Sequence, residues 1–376
     1  MRAPAAQAAV DVPTSLRRLD VDWARGLAVL IMIHAHVLDA WTHPSQRSTL
    51  AFQYLNILAG FAAPLFLWLA GVSLVLSGER LTAWGADRVS ASGRLAARGL
   101  ELFVLAFAFR LLMFLFNPGG SPLSIFRVDI LNIMGPALVV AAGCWGVLGG
   151  PVSRLVVFSG LSAIVALVTP VIREAGWIDS LPVWLQWYVR PTGEHTVFTL
   201  FPWTGFVFAG AGAGTLVAAS RRRDTERQVH RWTASFGLAL ILLGAYASTL
   251  PSLYRHSSFW STSPTFFAIR VGVLLLGGAG LYWASGWLAR RGVRLTPLTR
   301  LGRASLLIYC VHIPIVYGWM TASLRHHLPV WQTLCAFVAF SAAMYGLVPL
   351  RDWLGGIWAD RRPGDRQDRA QMQTAK

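Results

Sequence analysis

An arginine and two histidines lie inside a stretch that otherwise reads as a membrane-spanning helix, DVDWARGLAVLIMIHAHVLDAW, residues 20–41. A charge at bilayer depth costs about 2.5–3.5 kcal/mol even on lenient insertion scales, so Arg25, His34, His36 and Asp39 need a chemical reason for being there. On a helix Arg25 and His36, eleven residues apart, project from nearly the same face and stand about 16 Å apart along the axis. A guanidinium binds phosphate with a bidentate geometry that lysine lacks. An imidazole takes a proton from a nucleophile near neutral pH. The pair suits an elongated ligand with a phosphorylated end at one membrane face and a reactive end deep inside, and acyl-coenzyme A has that shape.

Each residue also has a plainer reading. Arg25 could be a charge anchor at a helix start, with Asp22 one turn before it and Arg98 further on as companions at the donor end. His34 lies about 200° around the helix from His36, so the two cannot serve one site from one face, and one of them is expected to be a packed histidine bonded to a neighbouring helix. Asp39 either orients the His36 imidazole or sits at the outer boundary. His43, in the following THPSQRS, is the next histidine within reach.

The elements that must position these groups are membrane helices. The chain has 376 residues, 55% hydrophobic and only 13% charged, against about 25% charged in soluble domains. Long apolar runs together with that deficit define a polytopic, all-α membrane protein. Runs of about 20 apolar residues fall near residues 23–42, 51–77, 95–116, 127–148, 153–172, 196–219, 230–249, 264–288, 303–321 and 330–350. About ten spans are therefore expected, in a transmembrane domain over residues 20–355 flanked by tails at 1–19 and 356–376. The segment over 196–219 carries a series of small residues suited to close helix packing,. The first tail has no apolar core with a cleavage site, so no removable signal peptide is expected, and the last is basic and too polar to pack.

The net charge of +16 comes from arginines clustered between alternate apolar segments. Arg80, Arg88, Arg94, Arg154, Arg221, Arg222, Arg223, Arg227, Arg231, Arg290, Arg291, Arg294, Arg300 and Arg303 fall on one side, with both tails; isolated arginines such as Arg47, Arg173, Arg190, Arg255 and Arg325 fall on the other. The positive-inside rule makes the clustered side, and both termini, cytoplasmic. This patterning makes nucleic acid an unlikely partner, whereas membrane lipids are expected ones. The cysteines, Cys144, Cys310 and Cys335, lie in apolar runs at spacings that match no metal or disulfide framework,, and read as small buried hydrophobes. No metal site is expected. The longest outer loop, REAGWIDSLPVWLQWYVRPTGEH, holds Glu174, Asp179 and Glu194 and is expected to lie along the interface as an aromatic belt; a lid or acceptor platform is the sharper alternative. Arg98 and Glu101 are one turn apart and are expected to pair; Arg110 needs a partner, with Asp129 a candidate beside Asn132; His312 reads as a core histidine; and Arg270 is expected to be functional or tightly paired.

Several stretches together resemble a known family. RRLDVDWARGLAVLIMIHAH resembles the first helix of the transmembrane acyltransferase superfamily, in which an Arg, ten intervening residues and a His recur. FAAPLFLWLAGVSLVLS, RVDILNIMGPALVV, LFPWTGFVFAGAGAG and LGRASLLIYCVHIPIVY follow in order and resemble helices of its bacterial heparan-alpha-glucosaminide N-acetyltransferase-like branch. The resemblance implies transfer of an acyl group, usually acetyl, from cytoplasmic acyl-coenzyme A to a saccharide across a bacterial cell membrane, with Arg25 binding the donor and His36 catalytic. The lysosomal members carry asparagine at the position of His36 and a catalytic histidine in the next loop, where His43 stands here. That departure draws the chain toward the bacterial acyltransferases, glucan succinyltransferases included.

The resulting expectation is a membrane acyltransferase with His36, His43 and Asp39 as catalytic candidates and Arg25, Asp22 and Arg98 at the donor. Acyl-coenzyme A is its donor substrate, an extracytoplasmic saccharide its acceptor, and no bound cofactor is needed; a homodimer is compatible with the sequence. The alternative is a lipid or glycan transporter or flippase whose intramembrane charges line a path, although the paired halves common in such proteins are not evident.

Overall fold

The computed structural model describes residues 18–115, 121–192, 196, 198–220, 223–293 and 295–360. Glu194, Arg221, Arg222, Arg294 and most of both expected tails lie outside them. The described chain is helical, with isolated bridges Thr42–Leu328 and Val128–Thr196 in place of strands. The helices in chain order are α1 (Leu19–Trp41), α2 (Leu50–Ala59), α3 (Ala62–Ala83), α4 (Arg88–Leu115), α5 (Ile130–Val147), α6 (Pro151–Glu174), α7 (Val183–Gln186), α8 (Leu200–Ala219), α9 (Arg223–Ala247), α10 (Pro264–Arg290), α11 (Thr296–Arg303), α12 (Ser305–Tyr317) and α13 (Val330–Asp360).

Among the described residues, seven segments are long and apolar enough to cross a membrane: α1, the α2–α3 pair, α5, α6, α8, α10 and α13 up to Leu350. Helices α4 and α9 occupy two more of the expected positions, with 28 and 25 residues. The segment expected at 51–77 is broken at Gly60–Phe61. Pro64, four residues after Gly60, lacks an N–H to continue the ladder and its ring would crowd the Gly60 carbonyl. The segment expected at 303–321 is divided as well. Its apolar part, α12, has 13 residues, about 20 Å of helix, which is short of the roughly 30 Å hydrocarbon core. The amphipathic α11 before it is a separate helix.

Helix α1 lies at the centre, touching α2, α3, α10, α11, α12 and α13. Of its apolar stretch 67% is buried, against 22% for α13. Leu242 of α9, Val156 of α6 and Val338 of α13 face outward, as expected of side chains that meet lipid instead of water. Asp20 and Asp22 in the first turn of α1 complement its dipole,.

Backbones approach most closely where α3 crosses α8 and where α11 crosses α1. A Cβ on Gly71 of α3 would stand 1.9 Å from the Val207 carbonyl oxygen, and one on Gly210 of α8 would stand 1.9 Å from that of Trp68. This is the small-residue packing expected of the GAGAG stretch. Where α11 crosses α1, Gly26 meets the Leu298 carbonyl and Gly302 meets that of Asp22 in the same way. That crossing holds the Arg25 end of α1 in place.

The loop expected to form an interfacial belt is partly tucked in and partly exposed. Trp187 is buried with Val128 and Ile133, while Trp177 and Trp184 remain exposed. Arg190 fastens the loop through Asp179 at 2.5 Å and the carbonyls of Arg173 and Ala175. Arg154, assigned from sequence to a basic loop, is buried, paired with Glu79 and stacked over Trp145. Cys144 and Cys310 are half-buried, but Cys335 is on an exposed face of α13.

Candidate active site

Arg25 and His36 line one cavity of about 570 Å³ between α1, α3, α5 and α12, within the range of small-ligand sites. At its Arg25 end, Arg25 Nη2 donates to Ser73 Oγ at 2.5 Å, and Ser73 in turn donates to the Leu69 carbonyl at 2.6 Å. Asp22 is buried with a carboxylate oxygen 4.0 Å from Arg25 Nη1. Arg98 also lines the cavity and forms an exposed ion pair with Glu101 at 2.7 Å. Of the three residues predicted for the donor end, Arg25 and Arg98 line this cavity, while Asp22 does not line it and stands beside Arg25.

At the other end His36 has a partner that the sequence reading left in the core. His36 Nδ1 is 2.8 Å from Nε2 of His312, and His312 Nδ1 is 2.7 Å from the Ile308 carbonyl oxygen. A carbonyl only accepts, so His312 Nδ1 carries the hydrogen, and a neutral His312 then presents a bare Nε2. His36 Nδ1–H donates to it. The tautomer of His36 follows from this chain: its proton sits on Nδ1 and its lone pair on Nε2. His312 is fully buried, so the relay is anchored in the core.

Around the pair stand Tyr309 and Asp129, both lining the cavity. Asp129 caps α5, accepting from the Ile130 N–H at 3.0 Å, while Asn132 accepts from the Asp129 N–H at 2.9 Å. Its other oxygen accepts from Arg110 at 2.6 Å, the pairing expected for that arginine. Asn132 also reaches the hydroxyl of Tyr188 in the outer loop at 3.4 Å. Burial pushes the Tyr188 hydroxyl above the ordinary tyrosine range, and in this contact it accepts from the Asn132 amide. The Tyr309 hydroxyl lies near the Asp129 carboxylate but makes no well-formed hydrogen bond.

The remaining candidates separate. His34 is buried on the opposite face of α1, its Nε2–H donating to the Leu55 carbonyl at 3.1 Å and its ring edge-on to Phe337. Asp39 does not bond the His36 imidazole; it accepts from the Tyr317 hydroxyl at 3.0 Å and pairs with Arg47 at 3.6 Å. Tyr317 stacks edge-on against His36 at 5.8 Å, so that ring links the Asp39 carboxylate to His36. Helix spacing would allow the pair, but Asp39 stands about one turn further along α1, exposed and engaged by Tyr317 and Arg47. His43 is exposed, caps a short turn through Ser45 and does not line the cavity. A larger basin of about 1470 Å³ opens at the Arg18 end, lined by Arg18, Asp20, Arg227 and Arg290. It holds no histidine among its lining residues and lies at the C-terminal end of α3, lined there by Leu76, Glu79, Arg80 and Ala83.

Sequence spacing could not find His312, which is 276 residues from its partner. The available signal was its place in SLLIYCVHIPIVY, within a stretch resembling a family helix. Tyr309, one turn earlier in the same helix, was missed for the same reason.

The fold and the site define a helical membrane protein in which one cavity is lined by both an arginine and a histidine of the central helix. Residues 18–349 match the acyltransferase-3 family, whose model describes an acyltransferase domain. The match covers nearly the whole described chain, and the protein belongs to this family of membrane acyltransferases. No curated protein matches it in sequence.

Proposed function

We propose that this chain is an acyl-coenzyme A-dependent acyltransferase of the bacterial heparan-alpha-glucosaminide N-acetyltransferase-like branch. It moves an acyl group, acetyl in the first instance, to a hydroxyl or amine of an extracytoplasmic saccharide. The observation that carries this reading is one cavity lined by Arg25 and, further along α1, by His36, whose Nδ1 bonds His312 behind it. The proposal includes ten crossings with both termini cytoplasmic, α12 completing its crossing together with the segments flanking it.

The coenzyme phosphates bind at Arg25 and Arg98, and the pantetheine arm follows α1 for the roughly 16 Å to His36. The acceptor enters from the opposite face, past the loop that carries Trp187 and Tyr188. His36 Nε2 removes the acceptor proton as the acceptor oxygen or nitrogen attacks the thioester carbonyl. The His36 imidazolium that forms is held by its Nδ1–H bond to His312, and the Tyr309 hydroxyl donates to the developing oxyanion. Collapse breaks the C–S bond, and the imidazolium returns its proton to the departing thiolate. His312 is a positioning residue, since it acts through His36. Attack by His36 itself, giving an acyl-histidine, is the less favoured route.

Radiolabelled acetyl-coenzyme A supplied to the purified protein in lipid nanodiscs tests the reading. Release of free coenzyme A that depends on His36 supports it. Retention of an intact thioester under all acceptor conditions, with labelled ligand crossing sealed vesicles, would instead identify a transporter.

A further inference from the structure

The buried and membrane-level arginines of this chain mostly have partners. Arg110 is paired with Asp129, Arg154 with Glu79, and Arg173 donates to Thr199 Oγ1 at 2.7 Å and the Phe201 carbonyl at 2.8 Å. Arg270 of α10 is different. Among the described residues it has no ion pair and no hydrogen bond: its guanidinium lies over the Phe266 ring, 4.1 Å from the centroid, and its Nε is buried without an acceptor. It also lines the cavity that contains His36.

Its depth can be placed. Arg290 at the other end of α10 shares a basin with Asp20 at the start of α1, so the two helices run antiparallel. From that level His36 is about 24 Å along α1 and Arg270 about 30 Å along α10, at 1.5 Å per residue. Arg270 therefore stands about 6 Å beyond the catalytic base, on the side away from Arg25. The wall beside it is built from small residues at the break between α2 and α3. A Cβ on Gly60 would be 3.4 Å from Arg270 Nη2, and Ala59, Ala62 and Ala63 also line the cavity. Space next to a guanidinium that an aromatic face holds in place is what a planar anion requires.

We propose that Arg270 recognises a carboxylate carried by one of the substrates, making this transferase selective for an acidic group at the reaction centre. This rests on the acyl-transfer reading above. The carboxylate can belong to the acyl chain of the donor or to the acceptor sugar, and the depth of Arg270 is compatible with both. A carboxylate held in bidentate fashion by a desolvated arginine should favour the acidic substrate about ten- to hundredfold.

The test uses full-length protein in nanodiscs as wild type, Arg270→Gln and Arg270→Lys, each first checked for folding by thermal unfolding. Coenzyme release is measured with succinyl- and acetyl-coenzyme A, and with acetyl-coenzyme A plus glucuronate-ended or neutral oligosaccharides. Preference for succinyl-coenzyme A that vanishes in Arg270→Gln and is partly kept in Arg270→Lys assigns the carboxylate to the donor. The same behaviour confined to the glucuronate-ended acceptor assigns it to the acceptor. No acidic preference in either arm, or one unchanged in Arg270→Gln, overturns the proposal. Thermal stabilisation by succinate and glucuronate, against succinamide and glucose, reads the site without turnover. Arg270-dependent stabilisation in a protein that cleaves no thioester would remove the acyl-transfer reading and keep the anion site; absence of that stabilisation in an active enzyme without acidic preference removes the anion site alone.

Discussion

Replacing His312 tests the relay more sharply than replacing the base itself. His312→Ala leaves His36 in the cavity but removes the acceptor of its Nδ1–H, 2.8 Å away. A hydrogen bond to a charged group is worth about 1.5–3 kcal/mol, and one between neutral partners about 0.5–1.5 kcal/mol. The difference, about 1–1.5 kcal/mol, is felt only once His36 is protonated, and it amounts to roughly tenfold in rate. Loss of tautomer control adds to this, because His36 no longer has a reason to keep its lone pair on Nε2. A fall in kcat of about 10- to 100-fold is expected, smaller than the 10²–10⁴-fold contribution of a general base. KM for the coenzyme should hardly change, since its phosphates bind at the other end of the cavity. His312 is fully buried, so the alanine variant should also melt earlier, and two isosteric variants separate positioning from folding. In His312→Gln the side-chain oxygen falls near the former Nε2 and can still accept from His36. In His312→Asn the amide falls near the former Nδ1 and keeps only the contact with Ile308. Steady-state coenzyme release at saturating donor should rank wild type, then Gln, then Asn and Ala together. Asn as active as wild type, or a loss confined to KM, would refute the relay.

Other substitutions carry their own expected outcomes. His36→Ala should lose transfer by 10²–10⁴-fold with coenzyme binding intact, whereas His43→Ala should retain it; the reverse pattern in a transfer assay would move the chemistry to the outer loop. Arg25→Ala and Arg25→Lys should both weaken coenzyme binding by calorimetry, the lysine variant less, because its point charge lacks the planar fork. His34→Ala should leave kcat unchanged and lower stability by about 1–3 kcal/mol, the cost of stranding the buried Leu55 carbonyl, read as a shift in the unfolding midpoint. Reporter fusions after Asp365 should report cytoplasm and fusions after Gly193 the exterior; a reversed pair would invert the assignment of donor and acceptor faces.

How much of this could be seen in the sequence depends on how far apart the cooperating residues are. Arg25 and His36 share one helix, so a period of 3.6 residues was enough to place them on one face, and the same arithmetic put His34 on the opposite face, where it bonds Leu55. The pairings Arg98–Glu101 and Arg110–Asp129 were also legible, the first from local spacing and the second because an arginine in a membrane helix demands a nearby carboxylate. Helix boundaries were legible where apolar length alone sets them. They failed where local backbone chemistry intervenes, as at Pro64, which splits one expected span, and at Ala304, which parts α11 from α12. Asp39 shows the limit of one-dimensional reasoning. Its spacing from His36 allowed a carboxylate–imidazole pair, but its actual partners, Tyr317 and Arg47, come from chain segments that no local rule brings together.

His312 shows the same limit with more at stake. A lone histidine in an apolar helix is most simply a satisfied core residue, and His312 is that: buried, with Nδ1 bonded to its own helix. On the proposed mechanism its function comes from its other nitrogen. The backbone carbonyl of Ile308 takes the Nδ1 proton and so determines which face of the ring can accept, and that face meets His36. The structural role and the chemical role are thus one arrangement, in which helix α12 fixes a tautomer and the tautomer fixes the base. A short, inward helix serves this better than a full span would. Thirteen residues ending near Gly318 keep His312 and Tyr309 at the level of His36, within reach of the cavity that Arg25 also lines.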